Sequence, residues 1–310
     1  MTFNDYLLSQ GKSSSTIKQT IWAVEGFLKW LKEDDTEVEN TTSKEILAYL
    51  KHLQNKGISN STRRLRLACL NLYFDYQLEQ EKVFVHPSRH IKLKGVQRNM
   101  LHAVLQKDQL EQLYTSYVVP TDKDPNAGQN WFANYLLGKN RNKVIIGLMV
   151  YQGLGTGEIT ALQCSDLDLR AGTIAIQGGR KSAHRILELK SWQMLDLMEY
   201  QLQTREKILA HHVNPTNDFF LSLPSGMNTK VKENKLNIWE FLRNDIRKRH
   251  PYFTNFQQVR VSIIVSWLSM YNLREVQQMA GHKTVSTTER YLAYRTDDLQ
   301  EDIDKFHPMG

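Results

Sequence analysis

Cysteine is scarce. The 310 residues contain two, Cys69 and Cys164, without paired spacing and in apolar settings. That excludes a disulfide framework and a cysteine-based metal site, and it suits buried, reduced thiols in a cytosolic protein. Long apolar runs are missing too. The longest, VIIGLMVYQGLG at 144–155, is too short and too glycine-rich to span a bilayer, so no membrane partner is expected. The first residues, MTFNDYLLSQGKSSS, lack the apolar segment of a signal peptide. No internal repeat with a period of roughly 20–50 residues is visible. His102, His184, His211 and His212 lack metal-ligand spacing with cysteines or acids and read as surface residues. The glycines of GLGTG at 153–157 run G-x-G-x-G rather than G-x-G-x-x-G. No GK[ST] follows, and no acidic residue closes a second strand about 20 residues on. Neither a metal nor a cofactor is therefore expected.

What is present is length, helical periodicity and positive charge. A chain this long is expected to split into two domains. A net charge of +7 suits a polyanion partner without proving one. Residues 1 to about 85 read as all-helical. A short helix begins after Thr2 and ends near Gly11. A second, capped at Ser15, carries the stripe Ile17, Ile21, Val24, Phe27, Leu28 and Leu31. A third runs from a Thr/Ser cap to Gly57. The fourth, starting in SNSTRR, carries Leu65, Leu67, Leu70, Leu72 and Tyr73, with Arg63, Arg64 and Arg66 crowding its start. Residues 86–104 hold Pro87, Gly95 and the basic residues Arg89, Lys92, Lys94 and Arg98 with little periodicity, as a linker would.

The second domain, 105–310, opens with a helix near 107–117. A polar loop, a helix at about 131–152 and a short helix in GEITALQ follow. The alternating segments 173–177 and 184–189 flank a Gly-Gly turn and predict a β-hairpin. A helix near 191–209, a short strand at 219–221 and a helix at 235–249 lead to the most informative stretch, Arg260 to Tyr291. Val261, Ile263, Ile264, Val265, Trp267 and Leu268 form an apolar helix opened by Arg260. A second helix stops at Gly281, and a third has a capping box of Ser286 and Glu289. Arg260, His282 and Tyr291 are thus polar groups at the edges of apolar helices: two phosphate-oxygen donors and one oxygen nucleophile.

This stretch resembles the catalytic domain of the tyrosine recombinases, the phage integrase family. The matching residues are Arg260, Gly281-His282, Ser286-Thr287-Thr288 and Tyr291, with the histidine-to-tyrosine spacing free of gaps. The resemblance covers roughly residues 10–295. It implies a mainly α fold with a small β-sheet: an N-terminal four-helix SAM-like core-binding domain, a linker that completes a clamp around duplex DNA, and an α/β catalytic domain. It also implies that no arm-binding domain precedes the core-binding helices. The implied chemistry is metal-free transesterification at a DNA phosphodiester. Tyr291 is the nucleophile, Arg260 and His282 hold phosphate oxygens, and a 3′-phosphotyrosine forms while a 5′-hydroxyl leaves. Lys181, in Lys181-Ser182-Ala183-His184-Arg185, matches the family's hairpin lysine and general acid, with Arg180 a neighbour easily mistaken for it. Lys18, Lys51, Arg63, Arg64 and Arg66, with Arg180 and Arg185, are the expected DNA-contacting residues.

Two positions depart from the family pattern. Where the family has T-G-L-R-x-x-E, this chain has Gln152-Gly153-Leu154-Gly155-Thr156-Gly157-Glu158, so the first catalytic arginine is Gly155. The family's H-x-x-R is Gln257-Gln258-Val259-Arg260, so its histidine is Gln257, which donates a hydrogen bond but carries no charge or proton. Losing one preorganised charged donor costs roughly 3 kcal/mol, or 10²–10³ in rate. Divergent mobile-element recombinases depart at the same position. The expectation is that Arg141, Lys143, Arg180, Arg185 or Arg290 substitutes; a slow enzyme that relies on a partner, or a catalytically degenerate DNA-binding protein on the same fold, are the alternatives. In the tail, Leu299, Ile303 and Phe306 form an amphipathic helix from about 297. The resemblance implies that it docks on a neighbouring subunit in a tetramer on DNA, in a cytoplasmic, nucleoid-associated setting where accessory DNA-bending proteins can act.

Overall fold

The computed structural model describes residues 1–93, 103–121, 123–179, 182–226 and 229–294. The chain divides into two compact units, 1–99 and 100–310. Among the described residues no helix is long and apolar enough to cross a membrane.

The first unit is four helices: α1 (Phe3–Ser9), α2 (Ser14–Glu33), α3 (Ser43–Asn55) and α4 (Asn60–Glu79). Each N-terminus has a side-chain cap that takes up backbone donors with no helical partner. The caps are Thr2, Ser13, Thr42 and Ser59. The cap of α2 is Ser13 rather than Ser15, because Ser13 is the residue whose extended backbone lets its hydroxyl reach the amide of Thr16. The expected stripe on α2 points inward: Ile17, Val24, Phe27 and Leu31 are buried, and Ile21 and Leu28 pack at the margin. On α4 the buried set is Leu67, Leu70, Tyr73 and Phe74, whereas Leu65 is exposed on the arginine-bearing side. Residues 86–93, expected within the linker, fold back onto this unit. Ser88 is fully buried, Ser43 Oγ donates to Pro87 O, and Ile91 and Leu93 touch the core.

The second unit is built around α6 (Phe132–Gln152). Val144, Ile145, Ile146, Leu148, Met149 and Val150 are all buried, so the C-terminal half of this helix is apolar all round and runs through the core. Packed about it are α5 (Lys107–Thr115), α11 (Phe256–Met270) and the broken helix 194–209. That last helix, expected to be continuous, is instead α8 (Met194–Glu199), a π turn (Tyr200–Thr204) and α9 (Arg205–Leu209). A three-stranded antiparallel sheet in the order β1 (Leu167–Asp168), β2 (Thr173–Ile176), β3 (Arg185–Glu188) contains the expected hairpin and one short strand that was not anticipated. β2 and β3 pair with Ile176 opposite Arg185 and Thr173 opposite Glu188. The remaining helices are α7 (Thr156–Ala161), α10 (Trp239–Arg249), α12 (Leu273–Ala280) and α13 (Val285–Glu289).

Residues 219–221 are not a strand. Phe219, Phe220 and Leu221 are buried, but apart from the Phe219 amide, which donates to Leu162 O, side chains rather than a neighbouring strand satisfy their backbone. Tyr200 Oη donates to Phe219 O, Asn234 Nδ2 to Phe220 O, and Arg141 Nη1 to Leu221 O. The helix carrying Arg260 begins four residues earlier than expected, at Phe256, because Asn255 caps it through the amide of Gln258. The helix before Tyr291 is capped at Thr284, so Ser286 lies inside it and forms no capping box with Glu289. Tyr291 follows the helix, in the turn after its last residue.

Candidate active site

Arg260 comes from the second turn of α11 with its side chain 14% exposed. It is held at three points. Nη1 donates to Gly153 O at 2.6 Å and to Glu158 Oε2 at 2.8 Å, and Nη2 donates to Ala280 O at 2.7 Å. The guanidinium therefore ties the end of α6, the start of α7 and the end of α12 to one another. Such a fork is fixed before any ligand arrives, which is what electrostatic catalysis requires.

Glu158 is the hub of this cluster. Its Oε2 also accepts the Gly155 amide at 2.9 Å, and its Oε1 accepts Arg185 Nη1 at 2.8 Å. Burial pushes its carboxyl up, but the hydrogen bond from Arg185 and the charges of Arg260 and Arg185 outweigh burial and hold it below the usual carboxylate range. Glu158 closes the Gly155-Thr156-Gly157-Glu158 segment but was not among the expected site residues; the acid three positions after a helix-capping glycine was the signal that marked it.

His282 follows Gly281, which ends α12 with φ +69°, a left-handed conformation that favours glycine. Its backbone is pinned to Gln277 in both directions, N to Gln277 O and O from Gln277 Nε2, each at 3.0 Å. Its Nδ1 lies 2.9 Å from Thr288 Oγ1. The β2–β3 hairpin is joined to this turn: Ala183 N donates to Gly281 O at 2.8 Å, and Ser182 forms a β-bridge with His282. Burial, and then the positive charges of Arg260, Arg185 and Arg290, push the imidazole down to about 4, against the opposing pull of Glu158. The ring is therefore neutral near pH 7. The Tyr291 ring stacks on it with centroids 5.6 Å apart and planes 15° apart.

Arg260, His282 and Tyr291 thus converge, as their spacing predicted. Gln257 is exposed in the first turn of α11 and lines a cleft of about 390 Å³ with Gly155, Thr156, Asn255 and Phe256. Its neighbour Gln258 is buried and holds Thr254 N, Ala103 O and Tyr252 O. Lys181 and Arg180 lie outside the described residues. Of the other cations, Arg141 is engaged with Leu221 and Asn142, and Lys143 pairs with Asp196 at 3.1 Å. Arg290 is exposed, and Arg185 is buried.

In the first unit Lys18, Lys51 and Arg64 are exposed and Arg63 and Arg66 partly so. Arg63 donates to Gln54 at 2.9 Å, and Arg66 lies 4.8 Å from the ring centre of the exposed Trp22. Among the described residues none of these five cations pairs with a carboxylate. The tail residues Leu299, Ile303 and Phe306 lie outside the described residues.

A pinned, partly buried arginine fork, a neutral histidine and a stacked tyrosine on this mainly helical two-unit fold define a DNA strand-transferase of the tyrosine type. Residues 130–297 match the phage integrase family and residues 2–82 match the phage integrase N-terminal SAM-like domain, so the chain belongs to the phage integrase family, the tyrosine site-specific recombinases. Among curated relatives it is 24% identical to tyrosine recombinase XerA of Thermococcus kodakarensis, covering 98% of this chain and 93% of that one. It is 22% identical to XerC of Bacillus pumilus, covering 99% and 95%. Among solved structures the fold is similar to XerH recombinase bound to its difH substrate after cleavage, with TM-score 0.66, 18% identity and coverage of 92% and 78%. It is also similar to a lambda integrase tetramer on a Holliday junction, with TM-score 0.62, 13% identity and coverage of 93% and 74%.

Proposed function

We propose that this chain is an active recombinase that cleaves and rejoins duplex DNA through Tyr291. The Tyr291 oxygen attacks the scissile phosphorus, the bond to the 5′-oxygen breaks, and a 3′-phosphotyrosine link conserves the bond energy for rejoining. No metal or cofactor is needed for this exchange. Charge gathers on the non-bridging oxygens in the transition state, and Arg260, fixed by three hydrogen bonds, donates to one of them. His282 donates to another from Nε2. In this reading the Thr288 hydroxyl donates to Nδ1, which leaves the imidazole proton on Nε2. Gln257, beside the cleft at Gly155, supplies a neutral donor where the family has histidine. Lys181 protonates the leaving 5′-oxygen; its chain neighbour Ser182 is bridged to His282, which supports that role. The observation that carries the reading is the stack of Tyr291 on His282 beside the Arg260 fork.

Lys18, Lys51, Arg63, Arg64 and Arg66 hold DNA phosphates in this proposal, joined by Arg180 of the hairpin, while Arg185, buried and bonded to Glu158, acts inside the centre rather than as a phosphate grip. The tail from about 297 links protomers in a tetramer on DNA, as the tetrameric lambda integrase on a Holliday junction suggests by analogy. The setting is cytoplasmic and nucleoid-associated, the host element a mobile one, and accessory DNA-bending proteins assist. The domains are the core-binding unit to about 85, a linker to about 104 and the catalytic unit beyond.

The test is covalent trapping. Wild-type protein and Tyr291→Phe are incubated with fragmented DNA from the gene's own neighbourhood, denatured in detergent, and the attached DNA is sequenced. An adduct that requires Tyr291 is the expected result and reveals the site. Tight, salt-sensitive binding without any adduct would leave a degenerate DNA-binding protein, with Gly155 as the reason.

A further inference from the structure

Resting on that reading, we infer that Arg185 of β3 supplies the positive charge that Gly155 withholds, acting as a positioning residue through Glu158 and Arg260. The charge balance of the centre is the first reason. Glu158 is an ionised carboxylate bonded to Arg260, and the two cancel. The neutral His282 adds nothing to that balance. A centre of Arg260, Glu158 and His282 alone would be electrically null towards a phosphate that gains negative charge as it reacts. Arg185 bonds the other oxygen of the same carboxylate, Nη1 to Oε1 at 2.8 Å, and leaves the cluster with one net positive charge.

The burial of Arg185 is the second reason. Strand alternation turns it inward with Leu187, while Ile186 faces out. The residue is 6% exposed, and among the described residues its Nε and Nη2 are buried without hydrogen-bond partners. Charged side chains are seldom buried unless fully paired, and an arginine serving only as a structural tie would satisfy its donors. Among the described residues, no other cation expected as a substitute bonds Glu158.

The backbone makes room for this side chain. A Cβ on Gly281 would lie within 2.9 Å of Arg185 Cζ and collide with Nη1, so a side chain before His282 would push the guanidinium from its present place. Gly155, by contrast, has an extended backbone, φ −81° and ψ 161°, and a Cβ there would meet nothing nearer than Glu158 Oε2 at 3.7 Å. The backbone at 155 therefore accepts a side chain without strain at its Cβ, and Gly155→Arg is the variant that can test the exchange.

The test uses the full chain as wild type, Arg185→Gln, Arg185→Lys, and Arg185→Gln combined with Gly155→Arg. Thermal melting establishes folding. The rate of covalent adduct formation is read on the DNA fragment the wild type captures, and the His282 imidazole titration is read by NMR. Arg185→Gln is expected to slow adduct formation by about 100-fold, with DNA affinity held within about threefold. Adding Gly155→Arg is expected to recover at least about tenfold, and Arg185→Lys, which keeps the charge, to stay within about tenfold of wild type. His282 should titrate at higher pH in Arg185→Gln. The inference is overturned by a folded Arg185→Gln protein that reacts within about threefold of wild type, or by a loss that neither Gly155→Arg nor lysine restores. Should Arg185→Gln not fold, Arg185→Lys decides: a loss as large as about 100-fold with the charge kept would overturn it. If the wild type forms no adduct at all, the recombinase reading fails by itself. The NMR titration then still decides whether Arg185 governs the charge of the centre, and an unmoved His282 would overturn that as well.

Discussion

His282 shows how much of this site is set by what surrounds a side chain. An exposed imidazole is half-charged near pH 6.5, but burial beside Arg260 and Arg185 brings this one down to about 4. Above pH 6.5 both folded and unfolded chains carry it neutral, so it contributes no pH dependence there. Between 6.5 and about 4 the unfolded chain takes up a proton that the folded chain refuses, so folding weakens as pH falls through that window. The melting temperature of the wild type is expected to fall over this range more steeply than that of His282→Gln, which has no proton to refuse. Parallel melting curves at a series of pH values check this; coincident slopes would contradict it.

At the scale of elements, the site is a junction of helix ends and one hairpin. Gly281 meets two demands there, a left-handed turn and the close approach of Arg185. Gly172 shares the first demand, φ +65°, and has nothing within 4 Å of its would-be Cβ. Gly172→Ala is therefore expected to cost only the backbone penalty, about 1 kcal/mol, and Gly281→Ala at least about 1 kcal/mol more. Urea unfolding of the two variants measures the difference, and equal losses would mean that Arg185 yields without cost. The elements also show where sequence periodicity misleads. Phe219-Phe220-Leu221 has the apolar density of a strand, but Tyr200, Asn234 and Arg141 take its backbone carbonyls, so no partner strand is needed. Arg141 is committed there, which is why it is not free to replace the missing arginine.

At the scale of the whole molecule, five cations of the first unit, Lys18, Lys51, Arg63, Arg64 and Arg66, have no carboxylate partner among the described residues. Such residues grip DNA through its phosphates, with little regard to sequence and with steep salt dependence. Replacing Arg63 and Arg64 together by alanine is expected to weaken binding to all sequences alike. The slope of log affinity against log salt is expected to fall by about 1 for each phosphate that the variant no longer neutralises. Titrations of the full chain on two unrelated duplexes at several salt concentrations measure this. A sequence-selective loss would assign these arginines to base edges.

The sequence by itself determined the four-helix first unit, the β2–β3 hairpin and the Arg260–His282–Tyr291 set. These depend on local signals: helical stripes, caps, a glycine turn, and a tyrosine nine residues after a histidine. The N-cap positions slipped by two residues, at Ser15 and Ser286, because several hydroxyls lie near each helix start and backbone geometry chooses among them. Only the tertiary structure decided which groups share a carboxylate. Arg185, Glu158 and Arg260 are brought together across 27 and 102 residues of chain. The pairing exists because a strand, two helix ends and a glycine turn converge on one point, and no window of sequence contains that convergence.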